Sequence, residues 1–94
     1  MSKKVIRIDE EGNGFIGVAA DYKSAVAYLI NEAWLFDEAQ VYDRKNHDWA
    51  PLYVVYGDNW CDVIMNEWDI DEFNDAFDGW LYFYEVEVYS INED

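Results

Sequence analysis

The chain has 94 residues, with 21 Asp and Glu against six Lys and Arg, and a formal charge of −15. That charge excludes direct contact with DNA, RNA or anionic lipid, whose phosphates would repel it, and leaves a basic protein as the expected charged partner. Hydrophobic residues make up 52% and aromatics 19%, far more apolar surface than a disordered acidic tail carries, so residues 1–94 are expected to fold as one acidic domain around a single core.

In chain order, Val5, Ile6 and Ile8 precede the polar stretch Asp9-Glu10-Glu11-Gly12-Asn13-Gly14, and Phe15, Ile16 and Val18 follow it. Asn-Gly supports positive φ, which predicts a β-hairpin closed by a tight type I′ turn. From Asp21 the spacing becomes helical, with Val26, Leu29, Ile30, Ala33 and Trp34 recurring at intervals of three and four; Asp21 or Ser24 is the expected cap. Residues 39–43 and 52–56 are β-rich runs flanking the polar loop Arg44-Lys45-Asn46-His47-Asp48, which predicts a second hairpin limited by Pro51. After Gly57, the spacing of Trp60, Cys61, Ile64, Met65 and Trp68 predicts a short helix with Asp58 as a possible cap.

Asp69-Ile70-Asp71-Glu72 resembles a capping box, Ile70, Phe73 and Phe77 form an apolar stripe, and Gly79 sits where a C′ glycine belongs, which together predict a helix over 70–78. Residues 81–89 form a long strand with Tyr82, Tyr84, Val86 and Val88 on one face, expected to point inward, and Leu81, Phe83, Glu85, Glu87 and Tyr89 on the other. The order β-β-α-β-β-α-α-β implies an α+β fold, a mostly antiparallel sheet of five strands covered by two or three helices.

The segment Phe73-Asn74-Asp75-Ala76-Phe77-Asp78-Gly79-Trp80, running into Tyr82-Phe83-Tyr84-Glu85-Val86-Glu87-Val88-Tyr89, resembles the end of small, uncharacterised acidic proteins of phages and prophages of Gram-positive bacteria. The resemblance covers residues 73–89. It implies a mobile-element accessory protein and brings no activity or functional residues with it.

Charge is unevenly distributed. Residues 1–45 hold all six Lys and Arg against eight acids, whereas residues 46–94 hold thirteen acids and neither Lys nor Arg, so the second part carries −13 of the −15. Glu67, Asp71, Asp75 and Asp78 follow spacings of four, four and three, which would line one helix face if a helix begins near Asp69; Glu85 and Glu87 add two acids on a strand face. Like charges at i,i+4 oppose folding slightly, so this stripe is either a solvated face or a surface that imitates phosphate spacing for a basic partner. Eighteen aromatic residues point the same way, because Trp and Tyr are enriched at interface hot spots, and they also make self-association into a homodimer an expectation.

Catalytic, cofactor-binding and metal-ligating residues cannot be assigned. Asp69-x-Asp71 begins like an EF-hand loop, but Phe73 and Asn74 stand where the next ligand and the turn glycine belong. His47 lies in a loop and Cys61 on a helix, where a lone thiol reads as a small buried hydrophobe, so no dyad is expected between them. Gly12, Gly14 and Gly17 fall in a hairpin and match no nucleotide-binding spacing. No apolar run approaches the ~20 residues of a membrane span, and signal-peptide, lipidation and retention motifs are missing, so a soluble cytoplasmic protein without membrane contact is expected. The expected function is that of a non-enzymatic interaction protein, such as a phage-type DNA mimic that inhibits a basic nucleic-acid-binding host protein. A small enzyme or enzyme subunit, or a homo-oligomeric structural protein, is the alternative.

Overall fold

The computed structural model describes residues 2–89; Met1 and the C-terminal residues 90–94, on which the expected lack of a retention motif rests, lie outside them. The elements are β1 (Ser2–Glu10), β2 (Gly14–Ala19), α1 (Tyr22–Asn31), β3 (Gln40–Asp43), β4 (Asp48–Pro51), α2 (Leu52–Tyr56), a 3-10 turn (Gly57–Asn59), α3 (Trp60–Asp62), a π-helical segment (Val63–Glu67), α4 (Ile70–Ala76) and β5 (Leu81–Tyr89). All strand pairing is antiparallel, and the fold is α+β as its signals predict. The strands divide between a sheet of order β2-β1-β5 and a separate β3-β4 hairpin.

The first hairpin lies where Asn-Gly places it, with a different turn. Glu10 pairs with Gly14, leaving a three-residue loop. The Asn13 N–H donates to the Glu10 carbonyl at 3.1 Å, and positive φ falls on Gly12 (86°) and Gly14 (82°). Gly12 therefore fills the third position of a four-residue turn, where type II geometry requires positive φ, and Asn13 keeps ordinary backbone. Further along, Ile8 pairs with Gly17 but Asp9 with Phe15, so Ile16 is the extra residue of a β-bulge. Its carbonyl accepts the Tyr28 hydroxyl at 3.2 Å. Gly17 makes room for that tyrosine, since a Cβ there would sit 3.2 Å from the ring.

Asp21, rather than Ser24, caps α1: its carboxylate accepts the Ser24 N–H at 2.8 Å. This bond holds the Asp21 carboxyl below the usual carboxylate range. The helix buries Ala25, Val26 and Leu29 against a core that includes Ile6 and Ile8 from β1 and Leu81 and Phe83 from β5.

Residues 52–56 are helical, which corrects the strand expected from their β-rich composition. The hairpin loop is shorter than its polar composition suggests, so β4 starts at Asp48 and is over by Pro51, which has no N–H to continue the ladder. The Leu52 N–H then bonds the Ala39 carbonyl and the Tyr53 N–H bonds the Asp37 carbonyl, both at 2.9 Å. Leu52 is buried and Val55 and Tyr56 half-buried, a three-and-four spacing that only a helix aims at one core. The next helical stretch opens as a 3-10 turn without a side-chain cap from Asp58 and ends in the π segment.

In β5 the inward face is the reverse of the expected one. Leu81 and Phe83 are 0% and 1% exposed, whereas Tyr84 and Val88 are 46% and 45% exposed. The Phe73 ring from α4 stacks on Phe83 with centroids 3.9 Å apart, and that packing outweighs the tyrosines, which tolerate one wet side. Among the described residues no helix is long and apolar enough to cross a membrane.

Candidate partner-binding site

The six acids singled out by spacing do not form one helical stripe. α4 starts at Ile70 because Asp69 caps it, accepting the Glu72 N–H at 2.9 Å. Trp68 and Asp69 are extended, which places Glu67 at the end of the π segment, off the axis of α4. Asp78 falls in the turn after the helix, where Gly79 takes positive φ (86°) two residues beyond the C-cap Phe77. Only Asp71 and Asp75 share α4.

The structure regroups these acids around two concavities. Asp75 and Asp78 meet Tyr42, Arg44 and Trp49 of the β3-β4 hairpin around a cavity of about 350 Å³, and Arg44 forms an ion pair with Asp75. Asp69, Asp71 and Glu85 line a more open groove of about 520 Å³ together with Tyr22, Trp68 and Ile70. Glu85 lies 3.7 Å from Lys4 Nζ, with both side chains more than half exposed, a pairing that contributes little. Glu87, on the same face of β5 as Glu85, is exposed near the strand's end.

Rigid packing holds the walls of the second groove. The Tyr22 hydroxyl donates to the Ile64 carbonyl at 2.7 Å, fixing the π segment against α1, and the ring meets Phe83 edge-on at 5.7 Å. Burial, reinforced by the charges of Asp69 and Glu72, pushes the Tyr22 phenol well above the usual tyrosine range. Trp68 packs edge-on against Tyr56 at 5.5 Å and Phe77 at 6.0 Å. The carboxylates of this groove therefore stand on a preformed aromatic frame.

Glu85 of β5 lines this groove, and among the described residues β1 is the one strand paired with β5, so its outer edge carries no strand. In an antiparallel ladder a residue's N–H and C=O point together to one side, and alternate residues point to alternate sides. At Phe83 they point outward, where Asn74 takes both: its Nδ2 donates to the carbonyl at 2.9 Å and its Oδ1 accepts the N–H at 2.7 Å. Two residues earlier the Leu81 N–H is taken by the Phe77 carbonyl at 3.1 Å. The same alternation turns the Glu85 backbone outward, and among the described residues no hydrogen-bond partner meets it there.

Comparison with protein-family models, curated proteins and solved structures finds no match. Among the described residues no three His, Cys, Asp or Glu side chains converge to hold a metal ion. Cys61 is half-buried, and burial together with Asp62 raises its thiol pKa, the opposite of an activated nucleophile. His47 is exposed in the hairpin turn with φ 55°.

Sequence reasoning missed Arg44, Asn74 and the aromatic frame. Nothing local signals the Arg44 to Asp75 pair, which joins residues 31 positions apart through the tertiary fold. Asn74 does carry a signal: an amide inside a short helix is a poor helix former and needs a reason to be there.

Proposed function

We propose that this chain is a non-enzymatic interaction protein whose acidic surface engages a basic, nucleic-acid-binding partner in the manner of a DNA mimic. The observation that supports this reading is the run Asp58, Asp62, Glu67, Asp69, Asp71 and Glu72, all exposed. Among the described residues none of the six is in an ion pair. Exposed carboxylates without counter-charges cost folding energy through mutual repulsion, and a cationic partner would recover it. Origin in a phage or prophage, as the resemblance over residues 73–89 implies, belongs to the same proposal.

The test is affinity capture of basic proteins on the immobilised chain from a Gram-positive lysate, followed by elution with duplex DNA and, separately, with high salt. A mimic gives up its partner to both, because DNA competes for the same basic groove. Retention of every captured protein in excess duplex DNA refutes mimicry.

A further inference from the structure

We infer that the outer edge of β5 at Glu85 receives an extended Lys/Arg-bearing segment of a partner protein as an added antiparallel strand, with one cationic side chain seated in the groove of Asp69, Asp71, Glu85, Tyr22 and Trp68. This rests on the proposed binding of a basic partner and names how that partner is held. Three observations lead to it. The sheet has two edges, and the β2 edge is deformed by the bulge at Ile16, a device that discourages pairing. The β5 edge is closed by Asn74 at Phe83 and by Phe77 at Leu81, and the Glu85 backbone is the first beyond them to face outward without a partner among the described residues. The groove opens at that same residue, lined by three acidic residues and by Tyr22, Trp68 and Ile70.

The ladder geometry connects the two features. In an antiparallel pair, residues directly opposite each other that exchange backbone hydrogen bonds also share a face. The partner residue that exchanges hydrogen bonds with Glu85 therefore projects its side chain on the Glu85 side, toward the groove. A guanidinium or ammonium there finds carboxylates for charge-assisted hydrogen bonds and the Tyr22 and Trp68 rings for cation–π contact. Neighbouring partner residues lie over the half-exposed Tyr84 and Val86, which suits apolar side chains. A second copy of this chain fits the same edge poorly, since pairing β5 with itself around Glu85 sets Glu85 opposite Glu85 or Glu87 of the other copy, and like charges across a ladder are destabilising.

The probe is the synthetic peptide Val-Arg-Val-Arg-Val-Arg, with a control methylated on the arginine amide nitrogens, which keeps the charge and removes the donors that strand addition requires. Binding is measured by calorimetry near physiological salt and located by amide NMR shifts. The expected result is that the methylated peptide binds at least about tenfold more weakly, the loss of one to two net hydrogen bonds. Glu85→Gln should weaken the parent peptide about three- to fivefold, the effect of one partly exposed charge pair, and Glu85→Pro should weaken it at least as much as methylation does. Proline at this position removes an outward N–H and leaves the β1 ladder intact; the methylated peptide tests the same bond without altering the protein. Equal binding of the two peptides, shifts confined to Asp58, Asp62 and Glu67, or a wild-type dimer that Glu85→Pro dissociates each overturns the inference. The first two leave the acidic-surface reading standing. Peptide binding at Glu85 combined with captured partners that DNA fails to displace would instead retire mimicry and keep the edge.

Discussion

Asn74→Ala tests the most specific arrangement in the fold, the side chain that stands in for a fourth strand beside Phe83. Two hydrogen bonds of 2.7 and 2.9 Å are lost, and they leave a partly buried N–H and C=O without partners. At about 1 kcal/mol each the loss is about 2 kcal/mol, and the better helix propensity of alanine returns about 0.6 kcal/mol. The net destabilisation is about 1.5 kcal/mol, which for a domain of this size lowers Tm by about 6–12 °C. Urea unfolding followed by tryptophan fluorescence should show a lower midpoint at unchanged m, because no surface changes in extent. Asn74→Asp adds a pH signature. Its ionised carboxylate would face the Phe83 carbonyl, so its folded pKa is raised above the unfolded value; the folded state binds more protons, and stability falls as pH rises through that interval. A loss below about 0.5 kcal/mol for Asn74→Ala, within the range of an ordinary surface substitution, would refute the idea that this amide closes the edge.

Tyr22→Phe leaves the carbonyl of the buried Ile64 without the Tyr22 hydroxyl and should cost about 1 kcal/mol in urea unfolding. The same substitution should reduce an alkaline loss of stability: the Tyr22 phenol pKa is raised, so the folded state keeps a proton that the unfolded chain releases above roughly pH 10, and the decline should be shallower without Tyr22, the raised Tyr56 phenol supplying part of what remains. Melting temperature should rise between ~10 mM and ~0.15 M salt, since screening shortens the Debye length from about 30 to about 8 Å and relieves 21 acids against six bases; a flat or falling profile in differential scanning fluorimetry contradicts this. Asp75→Lys should destabilise the isolated chain despite reducing its net charge, because it sets a second cation against Arg44, and a stabilised variant in thermal melts would show that the pair is idle. Cys61 should alkylate more slowly at neutral pH than the same thiol in urea-unfolded chain, as its raised pKa leaves less thiolate.

Elements whose signals are local were legible in the sequence. The capping carboxylates of Asp21 and Asp69, the Asn-Gly hairpin and the extent of β5 each depend on neighbours a few residues away, and each lies where its pattern places it. Errors arose where tertiary packing decides. Residues 52–56 have strand composition, yet Pro51 and the Ala39 and Asp37 carbonyls turn them into a helix. Composition points to the wrong face of β5 because Tyr and Val outscore a face diluted by Glu85 and Glu87, while burial is set by where α4 ends: its Phe73 covers Phe83, and the strand runs on past the helix. The acids are plain in the sequence, but their grouping depends on the break at Trp68 and Asp69 and on Arg44 from the β3-β4 hairpin, neither of which spacing reveals.

The mismatch in strand length has a dynamic consequence. β2 pairs with β1 only from Ile6 to Glu10, whereas β1 and β5 remain paired out to Lys3 and Val88, so the far end of the sheet is a two-stranded ribbon. Such a ribbon opens locally at lower free energy than the three-stranded part, and its amide protons should exchange with solvent earlier than those of Ile6 and Ile8. A partner strand laid along β5 would restore a three-stranded width there. Part of its binding energy would be spent on stiffening the ribbon, and slowed exchange at Val86 and Val88 would record the ordering even where no side chain touches the partner.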